Sequence, residues 1–289
     1  MKVRAESATV DPSGRHPARW AAPHTPRADS AAVDAGGRRR GQAYPAGNGL
    51  VIIPTYNEAE NLGTLVPRVL EQGPFDVLVV DDDSPDGTGA VADELARRWP
   101  GRVGVLHRPG KLGLGTAYVR GFRYALEAGY ERVFEMDADF SHDPHQLAAL
   151  WSALDSADVA LGSRYAPGGG SQHRPLWRRA VSRIGSRYAA LVLGLPFRDL
   201  TGGFKGFRRR ALASLELEEV RSSGYAFQIE VTQRCWRLGL RIVEVPILFE
   251  ERRAGYSKMD WRIVAEALLL VWALRFGSAA RREAQPWAR

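Results

Sequence analysis

Between Leu50 and Leu161 the chain alternates short apolar runs with longer stretches whose apolar residues recur every three or four positions. Leu50 to Ile53, Val77 to Val80, Val103 to His107, Arg132 to Met136 and Asp158 to Leu161 are too short for helices and read as buried strands. Between them, Leu62, Leu65, Val66, Val69 and Leu70 line one face of a helix, and Thr88 to Trp99 forms a second. Leu114, Ala117, Tyr118, Phe122, Ala125 and Leu126 stripe a third, over Leu114 to Ala128. A fourth covers Pro144 to Leu154, with proline in its first turn. This alternation predicts an α/β fold, a mostly parallel, doubly wound sheet flanked by helices. Ligands of such sheets bind beyond the carboxyl ends of the strands. The residues that follow each apolar run therefore matter most.

The pattern stops at both ends. Residues 1–48 are rich in Ala, Arg, Pro and Gly and lack periodicity, so they read as a disordered basic leader. Residues 49–278 form the ordered domain and 279–289 a basic tail. Of the net charge of +7, the leader carries +4 and the tail +2, which leaves +1 for the domain. A nucleic-acid binder would carry its basic face on the fold itself, whereas basic tails suit weak attraction to anionic lipid. The single cysteine, Cys235, excludes an internal disulfide or a cysteine zinc site and reads as a buried structural thiol in a reducing cytosol. The N-terminus has no apolar signal region. The longest uncharged apolar run, Ala267 to Leu274, is far shorter than the roughly 18–20 residues of a spanning helix.

Polar clusters follow the strands. The first strand leads into Pro54-Thr55-Tyr56-Asn57-Glu58, which a turn with Asn57 as helix cap would also explain. The second leads into Asp81-Asp82-Asp83-Ser84-Pro85-Asp86-Gly87-Thr88. Adjacent carboxylates repel by about 1 kcal/mol per close pair even in water. Turn and cap roles account for Ser84 to Thr88 but leave Asp82, which can accept hydrogen bonds from a base or ribose. The fourth leads into Asp137-Ala138-Asp139. In extended chain the two carboxylates point the same way, which suits Mg²⁺ or Mn²⁺ with room for substrate phosphates. Lys111-Leu112-Gly113-Leu114-Gly115-Thr116 has neither Walker nor dinucleotide spacing and reads as a tight helix entry with N–H groups toward the site.

After residue 165 the pattern changes. A loop, Pro167 to Gly170, leads to Leu176–Leu195, where Trp177, Val181, Ile184, Tyr188, Leu191 and Leu195 keep helical spacing among Arg178, Arg179, Arg183 and Arg187. This is either a basic amphipathic helix in a membrane interface or a core helix with a solvated arginine face. Trp261 to Phe276 is apolar almost all round, so it is buried or meets lipid or a partner. In the segment Phe249 to Lys258, Arg252 and Lys258 either close over a pyrophosphate or belong to a solvated basic loop.

Taken in order, the blocks PTYNEAENL, VVDDDSPDGT, KLGLGTAY, MDADFSHDP, GSRY, DLTGGF and the closing SK resemble glycosyltransferase family 2, and within it the dolichol-phosphate (polyprenol-phosphate) mannose synthases. The resemblance runs from about Leu50 to Phe276. It implies a GT-A (Rossmann-like) fold with C-terminal amphipathic helices, a divalent ion (Mg²⁺ or Mn²⁺), and inverting transfer of mannose from GDP-mannose to a polyprenyl phosphate. By position it assigns Pro54, Tyr56, Glu58, Val80 and Asp82 to the nucleotide, and Asp137, Ala138 and Asp139 to metal and pyrophosphate. It assigns Arg164, Arg252 and Lys258 to the phosphates or the donor sugar. Some members add a glutamine ligand where this chain has Ser141. The short C-terminus resembles the soluble subtype, peripheral on the cytoplasmic face of a membrane and dependent on a membrane-spanning partner. The competing expectations are UDP-glucose as donor, an RNA-binding protein acting through its basic arms, and a catalytically dead scaffold.

Overall fold

The computed structural model describes residues 48–173, 175–220, 222, 224–250 and 271–276. The leader, the basic tail, most of Trp261 to Phe276, and both Arg252 and Lys258 lie outside the described residues.

The five expected strands are present as β1 (Gly49–Thr55), β2 (Phe75–Asp81), β3 (Val103–His107), β4 (Arg132–Glu135) and β5 (Val159–Ser163). Between them lie α1 (Ala59–Leu70), α2 (Thr88–Arg98), α3 (Leu114–Ala128) and α4 (Leu147–Ala153). Alternate side chains of each strand enter opposite cores. Leu50, Ile52, Leu78 and Val80 pack with Tyr118 and Phe122 of α3, while Val51, Ile53, Val77 and Val79 pack with Leu62, Leu65 and Val66 of α1. A sheet sealed on both faces has no polar alternation, which is why these strands read as continuous apolar runs.

Beyond β5 come β6 (Gly170–Gln172), α5 (Leu176–Leu193), β7 (Lys205–Arg208), α6 (Arg209–Ser214), α7 (Gly224–Arg237), β8 (Ile242–Pro246) and β9 (Leu248–Glu250). The main sheet has the order β3-β2-β1-β4-β7-β5-β8, and β6 and β9 pair separately. Only β7 runs antiparallel, between β4 and β5. No apolar run announces β7, because Lys205 and Gly206 stand where two core residues would be expected.

From β1 the chain winds outward through β2 to β3, then returns to place β4 on the other side of β1. The crossovers depart in opposite directions from this point, and the crevice between them opens beyond the carboxyl ends of β1 and β4. Among the described residues, three of the four non-glycine positions with positive φ follow strands of this half: Asn57 after β1, Asp83 after β2 and Phe140 after β4. Such strained backbone clusters where function requires it.

Helix α3 lies close on β1 because Gly121 carries no side chain. A Cβ there would sit 2.6 Å from Ile52 Cγ2. Gly121→Val is expected to lower stability in urea titrations by about 1–3 kcal/mol. Gly63→Ala, on α1 with nothing within 4 Å of the added carbon, is expected to raise it by about 0.4–1 kcal/mol.

Candidate active site

The loops after β1 and β2 are tied to each other by polar contacts. Thr55 Oγ1 donates to Asp81 Oδ1 (3.1 Å) and Asp81 also accepts from Ser84. The first N–H groups of α1 are satisfied from the neighbouring loop, Glu58 N by Thr88 Oγ1 and Ala59 N by Asp86 Oδ2. Asn57 does not cap α1 as the sequence suggested: the cap position is Glu58, and the Asn57 N–H donates to Ser84 Oγ. The run of aspartates thus divides its labour, with Asp81 and Asp86 knitting loops and Asp83 facing solvent.

Asp82 is buried beside Arg108 (3.0 Å) and accepts from the Leu112 N–H (3.1 Å). Burial pushes its carboxyl above the ordinary value, against the pull of Arg108 and the amides of Leu112 and Gly113. The glycine-rich segment therefore does aim N–H groups at the site, and the one at Leu112 serves Asp82. Pro54, half-buried, pairs in register with Val80 at the ends of β1 and β2, and after it Tyr56 is exposed and Glu58 half-buried. Lys111 Nζ stands 3.9 Å above the Tyr56 ring, and the Glu58 carboxylate accepts from Asn61. The Val80 side chain points into the core with α3, which leaves only its backbone for a ligand at the strand end.

β4 ends at Glu135; Asp137 follows it outside the strand, and Ala138 and Asp139 lie in a bend, not in the extended chain expected. Both carboxylates lie near enough to act on the Tyr118 hydroxyl. Tyr118 Oη reaches Asp137 Oδ1 at 3.4 Å, and its hydroxyl is held well above its ordinary pKa by burial, then by Asp137, Glu135 and Asp139. Ala138 is packed inward. Asp139 is buried and accepts from the Ser141 N–H, while Ser141 O accepts from Glu250 N. His142 stacks on Phe204, and its Nδ1 accepts from the Asp137 N–H (3.3 Å), which places its proton on Nε2.

Arg164 follows β5 at the same end of the sheet. It is 7% exposed, and its guanidinium forms a fork with Asp199: Nε to Oδ2 and an Nη to Oδ1, both 2.7 Å. It also donates to Thr201 Oγ1. These donors are committed within the protein. Beside it lies a recess of about 460 Å³ lined by Arg164, Tyr165, Ser171, Arg179 and Arg183. The helix that forms its wall, α5, buries only Ser186 and Ala189 and turns Leu176, Trp177, Val181, Ile184 and Leu191 outward. The helical residues 271–276 bury Val271 and expose Trp272 and Phe276.

This geometry accompanies a direct match. Residues 50–215 match the family "Glycosyl transferase family 2". The chain belongs to that family. It is 49% identical over 236 residues to the polyprenol monophosphomannose synthase of Mycolicibacterium smegmatis, covering 80% of this chain and 89% of that one. It is 50% identical to the undecaprenyl-phosphate mannosyltransferase of Micrococcus luteus, covering 81% and 96%. The glucosyl-3-phosphoglycerate synthase of Mycobacterium tuberculosis, solved with Mn²⁺, UDP-glucose and phosphoglyceric acid, superposes with a TM-score of 0.59 at 18% identity, covering 80% of each chain. The fold is GT-A.

Against that family frame, the structure draws in residues that the motifs alone did not single out. Tyr118 looked like one more member of an apolar stripe, and Arg108 stands outside every block. His142 and Asp199 lay within quoted blocks without a role. Cys235 is buried and its thiol is pushed up to about 12, chiefly by desolvation, as a structural cysteine should be.

Removing Asp199 would strand a buried guanidinium, so Asp199→Ala is expected to cost about 3–5 kcal/mol by chemical denaturation. Arg164 holds the Asp199 carboxyl below its ordinary 3.8 against the opposing effect of burial. The stabilisation is therefore complete above that pH and lost as pH falls through the depressed folded value. Acid titrations of stability should show this loss in the wild type and not in Asp199→Ala.

Proposed function

We propose that the chain transfers mannose from GDP-mannose to a polyprenyl phosphate, with inversion at the sugar carbon, at the cytoplasmic face of a membrane. The observation that carries this reading is a juxtaposition at one end of the sheet. Paired carboxylates lie after β4, and a recess ringed by arginines lies beside an outward apolar helix face. A free phosphate acceptor would need the arginines alone. A lipid phosphate uses both, and the two relatives are named for polyprenol and undecaprenyl-phosphate mannosylation.

The nucleotide is assigned to the opening between β1 and β2, against Pro54, Tyr56, Glu58, the Val80 backbone and Asp82. Asp137 and Asp139, with the Ala138 backbone between them, would hold Mg²⁺ or Mn²⁺. The donor set fits. It offers two hard carboxylates, with no group of three His, Cys, Asp or Glu among the described residues, as for an ion that keeps waters and takes phosphate oxygens. Bound there, the cation would offset the charge of the donor diphosphate.

The acceptor supplies its own nucleophile. A phosphate monoester has a second pKa of about 6, so its oxygen is ionised at neutral pH without a general base. That oxygen bonds to the sugar C1 while the bond from C1 to the β-phosphate oxygen breaks, and GDP leaves with the electron pair. The task left to the protein is to bring two anions together. Arg179 and Arg183 are assigned to the acceptor phosphate, with Arg164 fixing the wall of the recess through Asp199. Arg252 and Lys258 are assigned to the donor diphosphate. The chain leads toward them from Glu250, which is anchored on Ser141 (3.1 Å). The prenyl tail is assigned to Trp177, Ile184 and Leu191. No helix among the described residues is long and apolar enough to cross a membrane, and a membrane-spanning partner belongs to the proposal.

Purified protein given radiolabelled GDP-mannose, Mg²⁺ or Mn²⁺ and polyprenyl phosphate should move label into the organic phase. EDTA should abolish the transfer, and Asp139→Ala should reduce it by at least about a hundredfold, a few kcal/mol of lost charge stabilisation. Transfer from UDP-glucose and not from GDP-mannose would remove mannose from the reading, and transfer indifferent to EDTA and Asp139→Ala would remove the cation.

The acceptor assignment makes a separate demand. Ile184→Ser with Leu191→Ser should raise KM for a long polyprenyl phosphate by about tenfold or more, given about 1.5–3 kcal/mol per large apolar side chain taken from water. KM for a short, water-soluble acceptor should stay unchanged.

A further inference from the structure

Two buried side chains beside the paired aspartates carry polar atoms without a hydrogen bond. Among the described residues, neither carboxylate oxygen of Glu135 nor either amide atom of Gln228 makes a hydrogen bond of normal geometry, although the Gln228 amide lies beside the Glu135 carboxylate. Glu135 is 0% exposed and Gln228 2%. Burying such a group unsatisfied costs about 1–3 kcal/mol, and native folds keep few of them without a reason.

Their placement supplies one. Glu135 precedes Asp137 by two residues, and the amide of Gln228 lies against its carboxyl. Gln228 comes from α7. Its Nε2 is 3.5 Å from the point a Cβ on Gly203 would occupy, and the same point is 3.5 Å from both carboxylate oxygens of Asp137. A side chain at residue 203 would fill the gap between them. Lys205 fixes the distance from behind, since its Nζ donates to Gln228 O (2.8 Å) and Thr232 Oγ1 (3.0 Å), pinning α7 to β7 at this residue. With a carboxylate on either side, the amide turns its nitrogen toward them, because its oxygen would be repelled.

We propose that Gln228 is a positioning residue for the divalent cation, its two amide hydrogens bridging Glu135 and Asp137 so that the Asp137 carboxylate stays turned toward Asp139. The inference rests on the reading of Asp137 and Asp139 as the cation site. An amide nitrogen donates two hydrogens and ligates nothing, so Gln228 acts through Asp137 and not on the ion. A neutral donor orients a carboxylate without cancelling the charge that attracts a cation. Partners of this kind are worth about 10–100-fold in metal affinity.

The test is Mn²⁺ binding to the full chain, followed by the electron paramagnetic resonance of the free ion. Gln228→Met keeps length and volume and removes both amide hydrogens. Its Mn²⁺ affinity should fall about 10–100-fold, while its thermal midpoint without metal stays level or rises. Wild-type affinity in Gln228→Met would overturn the proposal. Equal binding by the wild type and Asp139→Asn would instead remove the cation reading, and the proposal with it. Should Gln228→Met fail to fold, Gln228→Leu gives the same decision, since it also lacks the donor and adds no charge. Weaker binding supports the proposal, and wild-type or tighter binding overturns it.

Discussion

Both faces of the seven-stranded sheet are sealed by apolar helices, and the polar chemistry of this chain is arranged around that constraint. A carboxylate cannot stand in the middle of β1 or β2 without displacing a residue packed in one of two cores. Charged groups are therefore pushed to the strand ends, and the order of strands decides which ends meet. Because β4 returns to the flank of β1, the segments after β1, β2 and β4 share one crevice although up to about eighty residues separate them. The hydrogen bonds from Glu58 to Thr88 and from Ala59 to Asp86 show how closely those segments meet.

Charges that do go inside are matched. Asp199 takes the fork of Arg164, Asp82 stands against Arg108, and Lys205 shares its layer with Glu135. Burial acts on each partner in the direction of neutrality, raising Glu135 to about 7 and lowering Lys205 to about 8. A buried pair of this kind contributes little net stability, but removing one member is costly. Their value is geometric: each pair joins two segments distant in sequence, β5 to the loop before β7, the end of β2 to the end of β3, and β4 to β7.

The first half of this architecture was legible in the sequence because burial on both faces leaves an unambiguous mark, and β1 to β5 with α1 to α4 fall within a few residues of their expected positions. The second half was not, for identifiable reasons. Strand β7 contains Lys205 and Gly206, which stand there to reach α7 and to admit Phe134, so no apolar run forms. Helix α7 carries Gln228, Glu230, Thr232 and Gln233, all buried and polar, which hides its periodicity. At the site, carboxylates after strands were conspicuous and their partners were not: an arginine, a tyrosine in an apolar stripe and a histidine gain meaning only from what lies opposite. Arg164 was recognisable as a motif residue, but its commitment to Asp199 depends on two segments thirty-five residues apart.

Helix α5 shows how a pattern with two meanings is resolved. Apolar residues three and four apart among arginines fit a core helix and an interfacial one equally, since periodicity reports a face and not what covers it. The structure buries the small residues, Ser186 and Ala189, and leaves Trp177, Ile184 and Leu191 outside. Small residues let a helix lie close to its neighbours, so the large ones on the far side are left facing outward. Exposing several large apolar side chains on one helix is unfavourable in water alone. Placed above a recess lined by Arg164, Arg179 and Arg183, the same face suits a ligand that is anionic at one end and hydrocarbon along the rest. The polar half of such a ligand would then lie at the sheet end, where the donor's charge is also handled, and its apolar half at the surface from which it is drawn.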